Sequence, residues 1–171
     1  MHLTPPLSPT RDRWGLTVTW LVALMLTSCS AGSGPVSPSD QGEPTCSASL
    51  DIVIMVGDEA LPATLTDTST TDQFAQMLPL ELDLRDPMGQ AFAGSLPGDP
   101  LQVPERELGL DPSAGGVYYA PDSQTIALYY DDLGHTVPPP GWALLAELTP
   151  SGVATLAGTG RRVRVSIDSC P

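Results

Sequence analysis

Strict alternation of apolar and polar residues is clearest over residues 80–85. Leu80, Leu82 and Leu84 fall on one side and Glu81, Asp83 and Arg85 on the other, as in a half-buried strand. Residues 162–167 repeat the pattern with Val163, Val165 and Ile167. Residues 50–56 place Ile52, Ile54 and Val56 on one face. Gly57-Asp58-Glu59 then predicts a turn into a second strand over 60–65. Pro62 has no N–H to donate, which puts that strand at an edge or a bulge. Residues 116–120 and 125–130 predict a hairpin around Pro121-Asp122-Ser123. Its alternation sends Tyr119 and Tyr130 inward with Val117, Ile126 and Leu128, and Tyr118 and Tyr129 outward. Residues 142–148 predict a strand. Pro150-Ser151-Gly152 predicts a turn, followed by a short strand over 153–156.

The period changes once, over residues 68–78. Phe74, Met77 and Leu78 share a helical face, Thr68 or Ser69 can cap, and Asp72 suits the positive end of the helix dipole. Pro79 ends the helix. Asp86-Pro87-Met88-Gly89 predicts a turn. Little regular structure is expected over 96–116, and a polar, proline-rich loop over 131–141. Eight or nine short strands in about 125 residues make one domain. The expected fold class is mostly β, a closed barrel with one or two short helices, because closure removes exposed strand edges.

The first residues follow a different logic. Arg11 and Arg13 precede an apolar run over 14–26. That run is shorter than the roughly 20 residues that cross a bilayer, and has the length of a signal-peptide core. Leu26-Thr27-Ser28-Cys29 then resembles a lipobox: an aliphatic residue, two small ones and a cysteine that takes lipid. Residues 1–28 are therefore expected to be a lipoprotein signal peptide. Cys29 is the expected lipid attachment site, and the membrane, reached through that lipid, is the expected partner. The localisation that follows is extracytoplasmic, at the cell membrane or envelope. Residues 29–45 are mostly Gly, Ser and Pro without apolar period, and read as a flexible tether. The domain is expected over 46–171.

Composition narrows the chemistry. The chain of 171 residues has a formal net charge of −13. Residues 1–28 hold two of its seven basic residues and only Asp12 of its twenty acidic ones. Such a domain repels phosphates, so nucleic acid is not an expected partner. Cys46 and Cys170 bracket the domain, just before the first strand and just after the last. In an oxidising compartment two such cysteines favour a disulfide, and antiparallel pairing of those strands would bring them to one end.

The segments IVIMVGDEALPATLTDTSTTDQFAQMLPLELDLRD, SLPGDPL and GGVYYAPDSQTIALYYDDLG together resemble the small bacterial cyclophilin-like family. Leu65, Asp67, Thr70, Phe74, Leu78 and Pro79 match its strand-to-helix segment. Gly115, Tyr118, Tyr119, Pro121 and Tyr130 match its later hairpin. Thr68 stands where the family has Asn, Gly116 where it has Asp, and Pro139-Pro140-Gly141 where it has Pro-Leu-Gly. The resemblance implies a cyclophilin-type β-barrel over roughly residues 50–167 and no set activity. True peptidyl-prolyl isomerases carry a Phe-x-Arg strand whose arginine stabilises the twisted imide. No such string exists here, and Arg85, Arg106, Arg161, Arg162 and Arg164 all fall at solvent-facing or loop positions.

His135 is the sole histidine after residue 28 and lies in a loop beside Asp131 and Asp132. It has no accompanying nucleophile motif. Ligands for zinc are too few, and Asp131-Asp132 lacks calcium-loop spacing, so no metal site is expected. Phosphate-cradling, zinc-protease and serine-hydrolase motifs are absent, and no cofactor or catalytic residue is expected. Tyr118, Tyr129, His135 and Trp142 are the candidate groove. Their aromatic rings either pack across strands or form a rim for an extended peptide. Two functions follow. One is an envelope binding or interaction module with a protein or peptide ligand. The other, from the resemblance alone, is a peptidyl-prolyl isomerase-like folding factor.

Overall fold

Every strand pairing among the described residues is antiparallel. The computed structural model describes residues 51–132 and 134–170. The expected signal peptide and tether, with Cys29 and Cys46, lie outside the described residues. The chain runs β1 (Asp51–Val56), β2 (Glu59–Leu65), α1 (Ser69–Ala75), β3 (Leu80–Arg85), β4 (Ala91–Ser95), a single 3-10 turn (Glu105–Glu107), β5 (Leu108–Gly109), β6 (Gly116–Ala120), β7 (Thr125–Tyr129), β8 (Trp142–Leu148), α2 (Pro150–Ala157) and β9 (Arg162–Ser169). The sheet order β2-β1-β9-β3-β4-β7-β6-β8 closes on itself where β2 pairs with β8, giving an eight-stranded barrel. β5 is an extra strand on β8.

Alternation sets the barrel's inside. β3 reads buried–exposed without a break, and its three leucines meet Ile52, Ile54, Val165 and Ile167 in the main core. Val117, Tyr119, Ile126 and Leu128 enter the same core from the β6–β7 hairpin. Phe74 of α1 is fully buried there, a burial that stabilises by about 1.5–3 kcal/mol.

β8 carries apolar residues at nearly every position and serves two faces. A bulge opposite Val117 and Tyr118 skips Leu145, so Val117 pairs with Ala146 and Tyr118 with Leu144. The extra residue resets the alternation. Ala146 and Leu148 face the core with Leu145, while Trp142 and Leu144 turn outward. Between the stretches of β8 that pair with β5 and β2, Thr66 takes the spare carbonyls. Its N–H donates to Leu145 O (2.9 Å) and its hydroxyl to Leu144 O (2.9 Å).

The predicted elements differ from the observed ones in four places. Residues 153–156 are not a strand but part of α2. Thr149 caps it by accepting from the Gly152 N–H (3.3 Å), and Pro150 occupies its first turn, where a missing N–H does no harm. β4 and β5 lie outside every predicted strand. α1 is shorter than residues 68–78, with Thr68 as its cap. β2 is not a free edge, because it closes the barrel; Pro62 sits one residue outside the stretch that pairs with β8.

The segment between β4 and β6 is held to α1 by side chains. Glu107 accepts from the Ser69 hydroxyl (2.8 Å), the Thr70 hydroxyl (2.6 Å) and the Thr70 N–H (3.2 Å). Gln73 and Gln102 exchange two more bonds, each through a side-chain amide and a backbone group. The hydrogen bond from the Thr70 hydroxyl is the largest influence on Glu107. With the Ser69 and backbone bonds it outweighs desolvation and holds the carboxyl below the usual glutamate range. A depressed folded-state pKa stabilises the fold above the unfolded value and is lost as pH falls through the folded one. Glu107→Ala should therefore melt lower than the native chain at pH 7, with the gap closing as the pH falls to about 3. Thermal melts across that range check it; a gap independent of pH would refute the role of the carboxylate.

Candidate functional site

The outer face of β4, β6, β7 and β8 is not bare. Small residues on it, Ala91, Ala93 and Ala127, leave a recess that aromatic rings border. Tyr118 meets Tyr129 edge-on (centroids 5.5 Å, 83°), and Tyr129 meets Trp142 (5.8 Å, 67°). Tyr118 and Tyr129 point away from the core, as the alternation predicts, yet both are buried. They form a second apolar cluster with Trp142 and Leu144.

Two glycines make this arrangement fit. Gly116 lies beneath the Tyr118 ring, where a Cβ would fall on the ring itself. Gly141 has φ +101°, and a Cβ there would sit 2.5 Å from Gly109 O. It thus lets the loop turn against β5 immediately before Trp142.

The turn between β3 and β4 supplies the other wall. Asp86 Oδ1 accepts from the N–H groups of Met88 (3.1 Å) and Gly89 (2.6 Å), an Asx-type turn. Its Oδ2 accepts from the Tyr130 hydroxyl (2.7 Å). Burial alone raises the Asp86 pKa, but the bonds from Tyr130 and the backbone N–H groups of Gly89, Met88 and Gln90 outweigh it and leave it lowered. Tyr130 is correspondingly pushed up to about 12 by burial and by Asp86. Gln90 is then clamped by its backbone, its carbonyl accepting from the N–H groups of Tyr130 (2.9 Å) and Asp131 (3.1 Å).

These parts enclose a cavity of about 380 Å³. Met88 and Gln90 come from the turn, Tyr129 from β7, Trp142 from β8, and His135, Thr136, Val137 and Pro138 from the loop that joins β7 to β8. Val137 is buried, and its N–H donates to Leu110 O (2.8 Å), which ties the loop to the end of β5. A recess of about 130 Å³ adjoins it over Ala91, Ala93 and Ala127, and another of about 250 Å³ lies toward Pro121 and Pro140; Trp142 borders all three. The size is at the small end of the roughly 300–1,000 Å³ of ligand sites.

Of the four candidate groove residues, Tyr129, His135 and Trp142 line this cavity, and Tyr118 buttresses Tyr129 from outside it. Sequence reasoning missed Met88 and Gln90. The Asp-Pro-x-Gly turn was visible, but nothing in the pattern marked which turn residue points at a cavity. Gln90 is 5% exposed, and its Oε1 is buried with no hydrogen-bond partner among the described residues. An unsatisfied buried acceptor costs about 1–3 kcal/mol. Burial, with the neighbouring Tyr118, raises the Tyr129 pKa, so that side chain stays a neutral phenol. None of the five described arginines lines the cavity. Among the described residues no group of three or more His, Cys, Asp and Glu side chains could hold a metal ion.

An eight-stranded antiparallel barrel with two short helices, closed by β2 on β8, is a cyclophilin-type barrel. The family model described as the cyclophilin-like family matches residues 54–167, and the chain belongs to that family. A hypothetical protein of Archaeoglobus fulgidus, whose structure was solved in solution, is similar in fold. It is 13% identical, with a TM-score of 0.51 over 75% of this chain and 100% of its own. No curated protein matches the chain.

Gly116→Ala should push Tyr118 off Tyr129 and destabilise the fold by about 1–3 kcal/mol, as overpacking does. Near-UV circular dichroism should weaken while the far-UV strand signal persists. An unchanged near-UV spectrum would mean that the ring stack does not depend on the glycine.

Proposed function

We propose that the protein is a lipid-anchored envelope protein whose barrel is a binding module, with its ligand in the cavity beside Trp142. The single observation that carries the binding reading is the Gln90 carboxamide. Its backbone is fixed by two hydrogen bonds, Gln90 is among the residues lining the cavity, and its side-chain oxygen is buried with no described partner. Native folds rarely leave such a group unpaired without a use for it. The anchor rests on the order of basic residues, apolar run and lipobox ahead of Cys29. A disulfide between Cys46 and Cys170 is proposed with it. β1 and β9 pair antiparallel with Ile52 opposite Ser169, so the start of β1 and the end of β9 lie at one end of the ladder, which supports the pairing. An isomerase-like folding factor has only the fold behind it.

The anchor and the binding site are tested separately. Cys29→Ala should move the protein from the membrane fraction to the soluble one, and a variant that stays on the membrane would remove the lipid reading. For the site, Gln90→Met keeps the volume and removes the unpaired acceptor. The unliganded variant should be more stable than the native chain by about 1 kcal/mol, since the unsatisfied group no longer opposes folding. A lower melting temperature would show that the carboxamide serves the fold and would overturn the binding reading.

A further inference from the structure

Tyr129 and Trp142 border both the main cavity and the smaller recess beside it. Their rings stand at 67° with centroids 5.8 Å apart, so they meet as a corner and not as a flat stack. Tyr118, which lines neither space, braces Tyr129 edge-on at 83°. Aromatic walls at a steep angle can each offer electron density to one cation, the arrangement that recognises quaternary ammonium groups. Charge points the same way. No arginine lines the cavity, and the chain contains no lysine. His135, exposed at the mouth, is the one lining side chain able to become cationic. Asp131 and Asp132 are exposed at the start of the same loop, and the chain as a whole carries −13. A cleft in a field of that sign concentrates cations and disfavours anions.

The lining also selects among cations. A primary ammonium gives up its N–H bonds to water on entry and needs acceptors in return. No carboxylate lines the cavity, and Gln90 Oε1 is buried out of its reach. A quaternary ammonium has no N–H to satisfy, so its transfer strands no donor. Its methyl groups suit the apolar wall of Met88, Val137 and Pro138. Building on the reading of this cavity as a binding site, we propose that the corner of Tyr129 and Trp142 receives a quaternary ammonium group, as in choline.

The test is calorimetric titration of the whole chain at pH 7 with choline, with its neutral carbon isostere 3,3-dimethylbutan-1-ol, and with ethanolamine. Choline should bind about tenfold more tightly than either of the others. Trp142→Leu should weaken choline about tenfold, and Trp142→Phe, which keeps a ring, by no more than about threefold. Phosphocholine separates two sources of the group: affinity equal to that of choline identifies a lipid headgroup, and weaker affinity a free solute. Equal affinity for choline and the isostere shows that charge is not read and overturns the assignment. Equal affinity for choline and ethanolamine leaves only the diffuse negative field and overturns it too, as does a Trp142→Leu chain that keeps its far-UV circular dichroism and its choline affinity. The comparison of probes on the native chain stands whether or not Trp142→Leu folds. Silence of every probe beside a stabilised Gln90→Met protein overturns the quaternary ammonium class alone; silence beside a destabilised one removes the binding reading as well.

Discussion

The seam where β2 meets β8 holds the architecture together. β8 must pair with β6 along one edge and with both β5 and β2 along the other, while contributing side chains to the core and to the outer face. A regular strand presents one parity of residues to each side throughout its length. The bulge at Leu145 breaks that constraint. Ala146 and Leu148 after it fill the barrel at the seam, and Trp142 and Leu144 before it face outward, where Trp142 becomes a wall of the cavity. Thr66 satisfies the carbonyls in the gap between β5 and β2, so the local break leaves no orphaned acceptors there. The same irregularity that lets the barrel close therefore also presents the residue common to all three recesses.

How much of this can be read from sequence depends on what each residue must pack against. β3 and β9 each bury one face, so their alternation shows plainly, as does that of the β6–β7 hairpin. The parity of Tyr118 and Tyr129 was legible too, but their burial was not: alternation tells the side of a sheet, never what covers it. β4 escaped because the site demands small residues. Ala91 and Ala93 leave the recess open, and at Gly94 a Cβ would lie 2.8 Å from Asp83 O. Phe92 alone is a large apolar residue there, too little to show a period. α2 was misread because Pro-Ser-Gly signals a turn as readily as a capped first turn, and only packing of Leu156 into the core decides between them. Gln90 gave no signal, since one polar residue after a turn is ordinary until its surroundings are known.

The turn at Asp86 shows how the fold sustains an unsatisfied group. Asp86 is nearly buried and accepts from Tyr130 and from the backbone N–H groups of its own turn. Tyr130 reaches Asp86 from the core side while its ring packs against Phe92 (5.7 Å), so the turn is fastened to the barrel interior. Its backbone then anchors Gln90 from the opposite side. Each polar group in this series has a partner until the last, the buried carboxamide oxygen of Gln90.

That ordering bears on what the site can be. A mobile glutamine would turn its oxygen toward water and lose nothing, so its orientation would carry no information. Here the backbone is clamped and the side chain is buried, which leaves the oxygen little freedom to escape its unfavourable position. The surrounding alanines cannot supply a donor, and the rings of Tyr129 and Trp142 border the space without closing it. The strain of one unpaired acceptor is thus held by a well-satisfied turn beside a cavity of molecular size.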